Sequence, residues 1–392
     1  IVRKALEQRS VELLESVPSQ RDEQLRLALL RARYRTAERT AEDHRLRIVD
    51  DKQLDDARTT FRELIPKFRT LADEIEDKYR VLDRRLSRAS GSEARVLSQR
   101  VEQTSALLRQ CKFVLAWAQY YHAWLNDLRD PAHQAQFLFG EILQLRSDRL
   151  YPDDVSVDLR SREAYARSIL GMALSKSLTA SSEPALQWIE LLEHSRTFER
   201  LRKQVPIWKI AIYLEHQEYR RANSVLEEHV SNDQSAPLDA VWLRLIAVHA
   251  LEADEGSLSA SDLAQYAMAE LAARGELEQV LSIADRYGTE ALGSRGFAAY
   301  YVSGVLTYNK ARGQHDNDAP ATGEDSIRLY EKAIEQLNLA LNSPGSSRHQ
   351  NAAADARRLV AWSAYYLGRY RKAATEFEKA ADQLDQQRAA DA

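Results

Sequence analysis

Residues 351–384 read NAAADARRLVAWSAYYLGRYRKAATEFEKAADQL. Small and apolar side chains recur every three or four positions up to Leu367, Gly368 interrupts them, and a second amphipathic run opens at Tyr370. This periodicity predicts two helices joined by a tight turn. Gly368 supplies the backbone freedom a helix end requires, Tyr370 is expected to wedge between the helices, and Ala373 and Ala380 leave room for close approach. One such hairpin cannot bury its own apolar faces, so it requires neighbours of the same kind.

Those neighbours can be traced upstream. Tyr330, Ala333, Leu337 and Ala340 repeat the second-helix pattern, behind a helix that carries Tyr300 and Gly304. Gly275, Leu277 and Ala284 keep part of it, and Tyr219, Ala222 and Leu226 another part. The marker positions 219, 277, 330 and 370 are 58, 53 and 40 apart, so the period is irregular. Gly368, Tyr370, Ala373, Phe377 and Ala380 stand where the tetratricopeptide repeat favours Gly, Tyr, Ala, an aromatic and Ala, and the last half of the chain resembles that family. The polar insert Gly313 to Glu324 departs from the family pattern.

The resemblance implies a concave groove lined by the first helix of each pair, at five places that meet an extended or helical ligand. In the last unit those places hold Asp355, Arg358, Trp362, Tyr365 and Tyr366; in the unit before they hold Ala298, Tyr301, Val305, Tyr308 and Asn309. Tyr301, Tyr308, Asn309, Arg358, Trp362, Tyr365 and Tyr366 are therefore the expected contacts to a protein or peptide partner. The alternative is that the next helix covers some of these tyrosines. Tyr301 and Val305 occupy places where family members that grip acidic chaperone tails carry Lys and Asn, so that ligand is not expected.

Composition points the same way. With 13 Gly and 9 Pro among 392 residues, and Ala, Leu, Glu, Arg and Gln abundant, the expectation is all-helical. Formal net charge is −4. Residues 1–112 hold 25 Lys+Arg against 20 Asp+Glu, about +5, which leaves 30 against 39, about −9, for the rest. Basic residues are interleaved with acids, which argues against a nucleic-acid-binding stripe. The single cysteine, Cys111, excludes an intrachain disulfide and a cysteine metal site. No window approaches the ~20 apolar residues of a membrane span. The chain opens on Ile1 rather than Met, so an upstream segment is expected, and either a cytoplasmic or an exported placement fits.

The N-terminal part reads differently from the repeats. Two helices broken at Pro18, with Ser19 as N-cap, are expected over residues 1–49, the second packing through Leu25, Leu29, Ala32 and Thr36. From Asp51 to Arg88, Leu54, Phe61, Phe68, Ile75 and Leu82 are seven apart, with Leu64, Leu71, Tyr79 and Leu86 between. After Ala89-Ser90-Gly91-Ser92, Leu97, Thr104, Cys111, Ala118 and Leu125 repeat the spacing. Two seven-residue seams with so short a link predict a long antiparallel hairpin, kinked or divided at Pro66. It is read as a spacer or dimerisation arm, or as an arm that another subunit clasps. Phe113, Trp117, Tyr120 and Trp124, continued by Phe137 and Phe139, form an aromatic ridge expected to be core, with a partner-binding surface as the alternative. Residues 151–160, YPDDVSVDLR, mark the expected boundary, followed by helices over 161–179, 183–201, 206–216, 218–230, 237–253, 259–274, 276–287, 294–312, 324–342, 350–367 and 370–387.

Catalytic patterns are not indicated. None of the nine His lies in HExxH or follows a Glu by three places, and the pairs Glu193-His194, Glu215-His216 and Glu228-His229 point about 100° apart on a helix. GTEALGSRG (residues 288–296) lacks the lysine and preceding strand of a phosphate loop and reads as helix punctuation. Acid pairs such as Asp50-Asp51 and Asp153-Asp154 read as caps and turns.

The expected protein is all-α: a coiled-coil-like helical hairpin domain over 1–150, then an irregular tetratricopeptide-like α-solenoid over 151–392. It is a non-catalytic scaffold with no cofactor or metal, no nucleic-acid partner and no membrane insertion, and binds a protein or peptide. Self-assembly through residues 52–129 is the alternative.

Overall fold

The computed structural model describes residues 23–46, 48–160, 162–194, 199–231, 238–253, 257–293, 295–315, 318–343 and 346–391. The expected first helix, with Pro18 and Ser19, lies outside them. The fold is all-α, with no strand among the described residues. The helices longer than one turn are α1 Glu23–Arg45, α2 Asp51–Leu86, α3 Gly91–Asn126, α4 Arg129–Ile142, α5 Glu163–Ser177, α6 Ser182–Glu193, α7 Val205–Glu215, α8 Tyr219–Ser231, α9 Ala240–Leu251, α10 Leu258–Ala273, α11 Leu277–Tyr287, α12 Phe297–Gln314, α13 Glu324–Leu341, α14 Gln350–Tyr366 and α15 Tyr370–Asp391. From α5 onward most termini fall within about three residues of those read from the sequence. The exception is α6, which ends at Glu193 and not near 201.

The chain forms two compact units, residues 1–218 with 225–236, and residues 219–224 with 237–392; α8 spans the boundary. The parting lies well beyond residue 150. One continuous core runs from Leu27 to Ile212, so α5, α6 and α7 belong with the hairpin. Residues 151–160 are built into that core: Val155 and Leu159 are buried, and Arg160 donates to the carbonyls of Pro152, Asp153 and Val155.

In the first unit α2 and α3 are antiparallel: the Arg58 guanidinium donates to the carbonyl of Leu125 at 2.9 Å, while Cys111 Sγ lies 3.5 Å from the carbonyl of Phe68. The two seams face each other. Phe61, Leu64, Phe68, Leu71 and Ile75 are fully buried, each worth about 1.5–3 kcal/mol, against at most about 1 kcal/mol for an exposed ion pair such as Arg80–Glu76. Burial therefore holds the hairpin together. Asp50 starts α2 with a capping box, its side chain accepting from the Gln53 amide at 2.7 Å. Pro66 does not divide α2, which runs unbroken through it. Pro66 is exposed, as is Arg62, whose carbonyl it leaves without an intrahelical donor.

The face expected for α1 is wrong. Leu25, Ala32 and Thr36 are exposed, and Leu27, Tyr34, Ala37 and Ala41 are buried. Both stripes have helical spacing, so periodicity could not choose between them. The choice follows from Tyr34, whose ring packs on Phe61 and Tyr121 at centroid distances of 6.1 and 6.5 Å, and from Arg26 and Arg33 reaching Glu74 and Glu63 on α2.

The aromatic ridge of α3 is core. Trp117 and Tyr120 are 3% and 2% exposed, with Phe113 and Trp124 half-buried beside them. Phe137, expected to continue the ridge, is 49% exposed, and Phe139 alone does so, 5.5 Å from Trp117. Arg45 is sealed in here at 5% exposure: it donates to the Tyr120 hydroxyl at 2.8 Å, pairs with Glu42, and lies 4.2 Å from the Trp124 ring centroid. Such a buried guanidinium is tolerable because a carboxylate, a phenol and a π-face replace its water.

In the second unit each helix packs on its chain neighbour, α9 on α10, α12 on α13, α13 on α14, and α14 on α15, while α12 also reaches α14. The α14–α15 pair is antiparallel, with Arg357 against Gln383, Trp362 against Phe377 and Tyr365 against Tyr370. Gly368 turns it at φ +70°, as the opening stretch requires. Ala373 and Ala380 are buried at its seam. Tyr370 does not wedge between the helices: it is 53% exposed at the edge of Tyr365, and Phe377 fills the seam by meeting Trp362 at 5.2 Å.

Candidate partner-binding surface

All seven expected contact residues lie on α12 and α14, and the structure sorts them by depth. Tyr301 and Tyr366 are buried at 8% and 4% exposure, as is Val305. Tyr308, Trp362 and Tyr365 are half-buried, and Asn309 and Arg358 are exposed.

The rings form one connected set. Tyr366 stacks on Tyr330 at 5.2 Å and on Trp362 at 5.9 Å; Tyr308 tilts against Tyr330 at 6.0 Å; Tyr365 meets both Trp362 and Tyr366 edge-on. The buried pair Tyr330–Tyr366 is thus a floor that fixes the half-buried rings above it. Burial, together with the neighbouring phenols of Tyr366 and Tyr330, pushes the Tyr308 hydroxyl up to about 12. The Arg312 guanidinium lies 4.7 Å from the Tyr366 centroid.

Tyr301 faces sideways. Its hydroxyl donates to Asp355, and the same carboxylate accepts from Arg358 at 2.6 Å, so Arg358 is held while half its side chain stays in water.

The insert between α12 and α13 carries residues that the sequence pattern did not single out. The Ala321 amide donates to the Tyr366 carbonyl at 2.8 Å, and Ala321 packs against the aromatic set. His315 is buried edge-on to Tyr366, its Nδ1 3.2 Å from the Tyr330 hydroxyl. Tyr330 stood at a marker position of the repeat. Nothing in the sequence flagged His315 or Ala321, because an insert has no periodicity from which to read a buried face.

Elsewhere, a 680 Å³ pocket in the first unit is lined by Tyr151, Arg160, Glu190 and His194, among others. Arg160 is committed to three backbone carbonyls, and His194 Nδ1 contacts the Glu190 carbonyl at 2.9 Å. Among the described residues no group of three or more His, Cys, Asp or Glu is placed to hold a metal ion. No described helix is long and apolar enough to cross a membrane. Comparison with protein-family models gives no match, and neither the curated proteins nor the solved structures give one.

Proposed function

We propose that the second unit is a non-catalytic protein-interaction module, similar to a tetratricopeptide solenoid, which grips a peptide segment through α12 and α14. The observation that carries this reading is the row Tyr308, Trp362 and Tyr365, half-open to solvent and fixed from below by Tyr330 and Tyr366, next to the exposed Asn309 and Arg358. Rigid aromatics flanked by a positioned guanidinium are the composition of an interface anchor, since they bury large area at small entropic cost. Self-assembly through residues 52–129 is the less favoured reading, because the inner part of both seams is already consumed within the chain.

Panning a library of displayed random peptides against the whole chain tests the reading. Enriched peptides are expected to lose about tenfold or more in affinity against Trp362→Ala, and to weaken against the surface variants Arg358→Ala and Asn309→Ala, which leave the fold untouched. Absence of enrichment, or equal binding to all three variants, sinks it.

A further inference from the structure

The basic excess of the N-terminal part is not spread along it. Residues 78–100 hold seven Lys+Arg (Lys78, Arg80, Arg84, Arg85, Arg88, Arg95 and Arg100) against Asp83 and Glu93. Outside that stretch, residues 1–112 hold 18 of each sign. The whole excess therefore sits where α2 turns into α3, the far end of the hairpin. All seven basic side chains are exposed. Lys78 pairs with Glu23 and Arg80 with Glu76, but Arg84, Arg85, Arg88, Arg95 and Arg100 have no carboxylate partner among the described residues.

Helix stability accounts for part of this and not the rest. Arg84 and Arg85 close α2, where the macrodipole favours cations. Arg95, in the second turn of α3, gains nothing from the dipole, and five arginines without a carboxylate at one end repel one another. Arg84 folds back along α2, its Nε donating to the Arg80 carbonyl at 3.2 Å, which leaves Arg85, Arg88 and Arg95 exposed around the turn, with Arg100 further along α3. Val81 and Val96, 42% and 53% exposed, are set among them.

We propose that the α2–α3 turn is an end-on docking point for an anionic phospholipid surface. Exposed guanidinium groups clustered at a helical turn suit a flat sheet of phosphates, whereas a duplex requires a stripe along one face. The only aromatic in the stretch is Tyr79, half-buried on the seam, so the tip has no ring free to stack on bases. Val81 and Val96 add an apolar contact at headgroup level without a membrane span.

The test is sedimentation of the full chain with vesicles of phosphatidylcholine alone or of phosphatidylcholine mixed with phosphatidylserine, with duplex DNA as a competing polyanion. Binding to the mixed vesicles alone is expected, weakening with added salt. Each arginine near such a surface contributes about fivefold, so Arg85→Ala/Arg88→Ala/Arg95→Ala should lose about a hundredfold while keeping its helical circular dichroism. Absence of sedimentation at low salt, equal binding by the triple variant, or tighter binding to duplex DNA than to the mixed vesicles overturns the proposal.

Discussion

The Tyr301 hydroxyl donates to Oδ2 of Asp355 at 2.9 Å, joining α12 directly to α14 past the helix between them. Burial, reinforced by the Asp355 charge, raises the Tyr301 phenol above its ordinary value, so the bond persists across the neutral range. Oδ1 of the same carboxylate accepts from Arg358. Tyr301→Phe should lower stability by about 1 kcal/mol, less than the usual contribution of a hydrogen bond to a charge because a third of Asp355 remains in water. Thermal midpoints of Tyr301→Phe, Asp355→Ala and the double variant check this. Additive single effects would mean that the bond contributes nothing.

Of the glycines without positive φ, Gly304 and Gly171 sit under close neighbours that cannot move, and Gly313 does not. A Cβ on Gly304 would lie 2.6 Å from Leu337 Cγ and 3.2 Å from its backbone nitrogen; a Cβ on Gly171 would strike the Phe139 ring. Neither neighbour can swing aside, since one contact includes backbone and the other is a fully buried ring. Gly304→Ala and Gly171→Ala should each destabilise by about 1–3 kcal/mol. Gly313, in the last turn of α12, has nothing within 4 Å of its Cβ position, so Gly313→Ala should be neutral or stabilising by up to about 1 kcal/mol. Denaturant midpoints that rank Gly313→Ala below the other two would refute the packing.

This contrast shows what the sequence could reveal. Gly304 was visible because it occupies the small-residue place of a repeated pattern; Gly171 was not, because its partner Phe139 lies on another helix with no fixed offset. Helix ends were legible because Gly, Pro and Asp act on the backbone locally. The face of α1 was not, since two apolar stripes of equal spacing compete and Tyr34 decides between them only once Phe61 and Tyr121 are in place. For the candidate surface, the sequence placed the rings on two helices. It could not separate floor from wall, because the burial of Tyr366 depends on Tyr330 from a third helix and on an insert without periodicity.

Buried tyrosines make alkaline stability a test of both cores. The Tyr120 phenol, desolvated although Arg45 opposes the effect, is pushed up to about 12, as is Tyr308; Tyr34 and Tyr121 are also raised. A phenol with an ordinary value near 10 that holds its proton when folded favours the native state fully below pH ~10, and that contribution is lost as pH rises from ~10 toward ~12. Stability should therefore fall over that window, with a delayed tyrosinate absorbance that appears together with loss of helical circular dichroism. Complete tyrosinate formation in the helical protein near pH 10 would contradict the burial.

The hairpin carries its own reporter in Cys111. Its thiol is fully buried between α2 and α3 against the Phe68 carbonyl, and desolvation pushes it up to about 12. Only the thiolate reacts with iodoacetamide, so at mildly alkaline pH both access and ionisation oppose labelling. Native protein should label only as fast as the hairpin opens, while unfolded protein labels at the rate of an ordinary thiol. Phe68→Ala removes a fully buried ring from the same seam, costing about 3–5 kcal/mol, and should accelerate native labelling by more than a hundredfold where opening is at equilibrium. Rapid labelling of the unaltered protein in native buffer would show that the two seams do not close on each other.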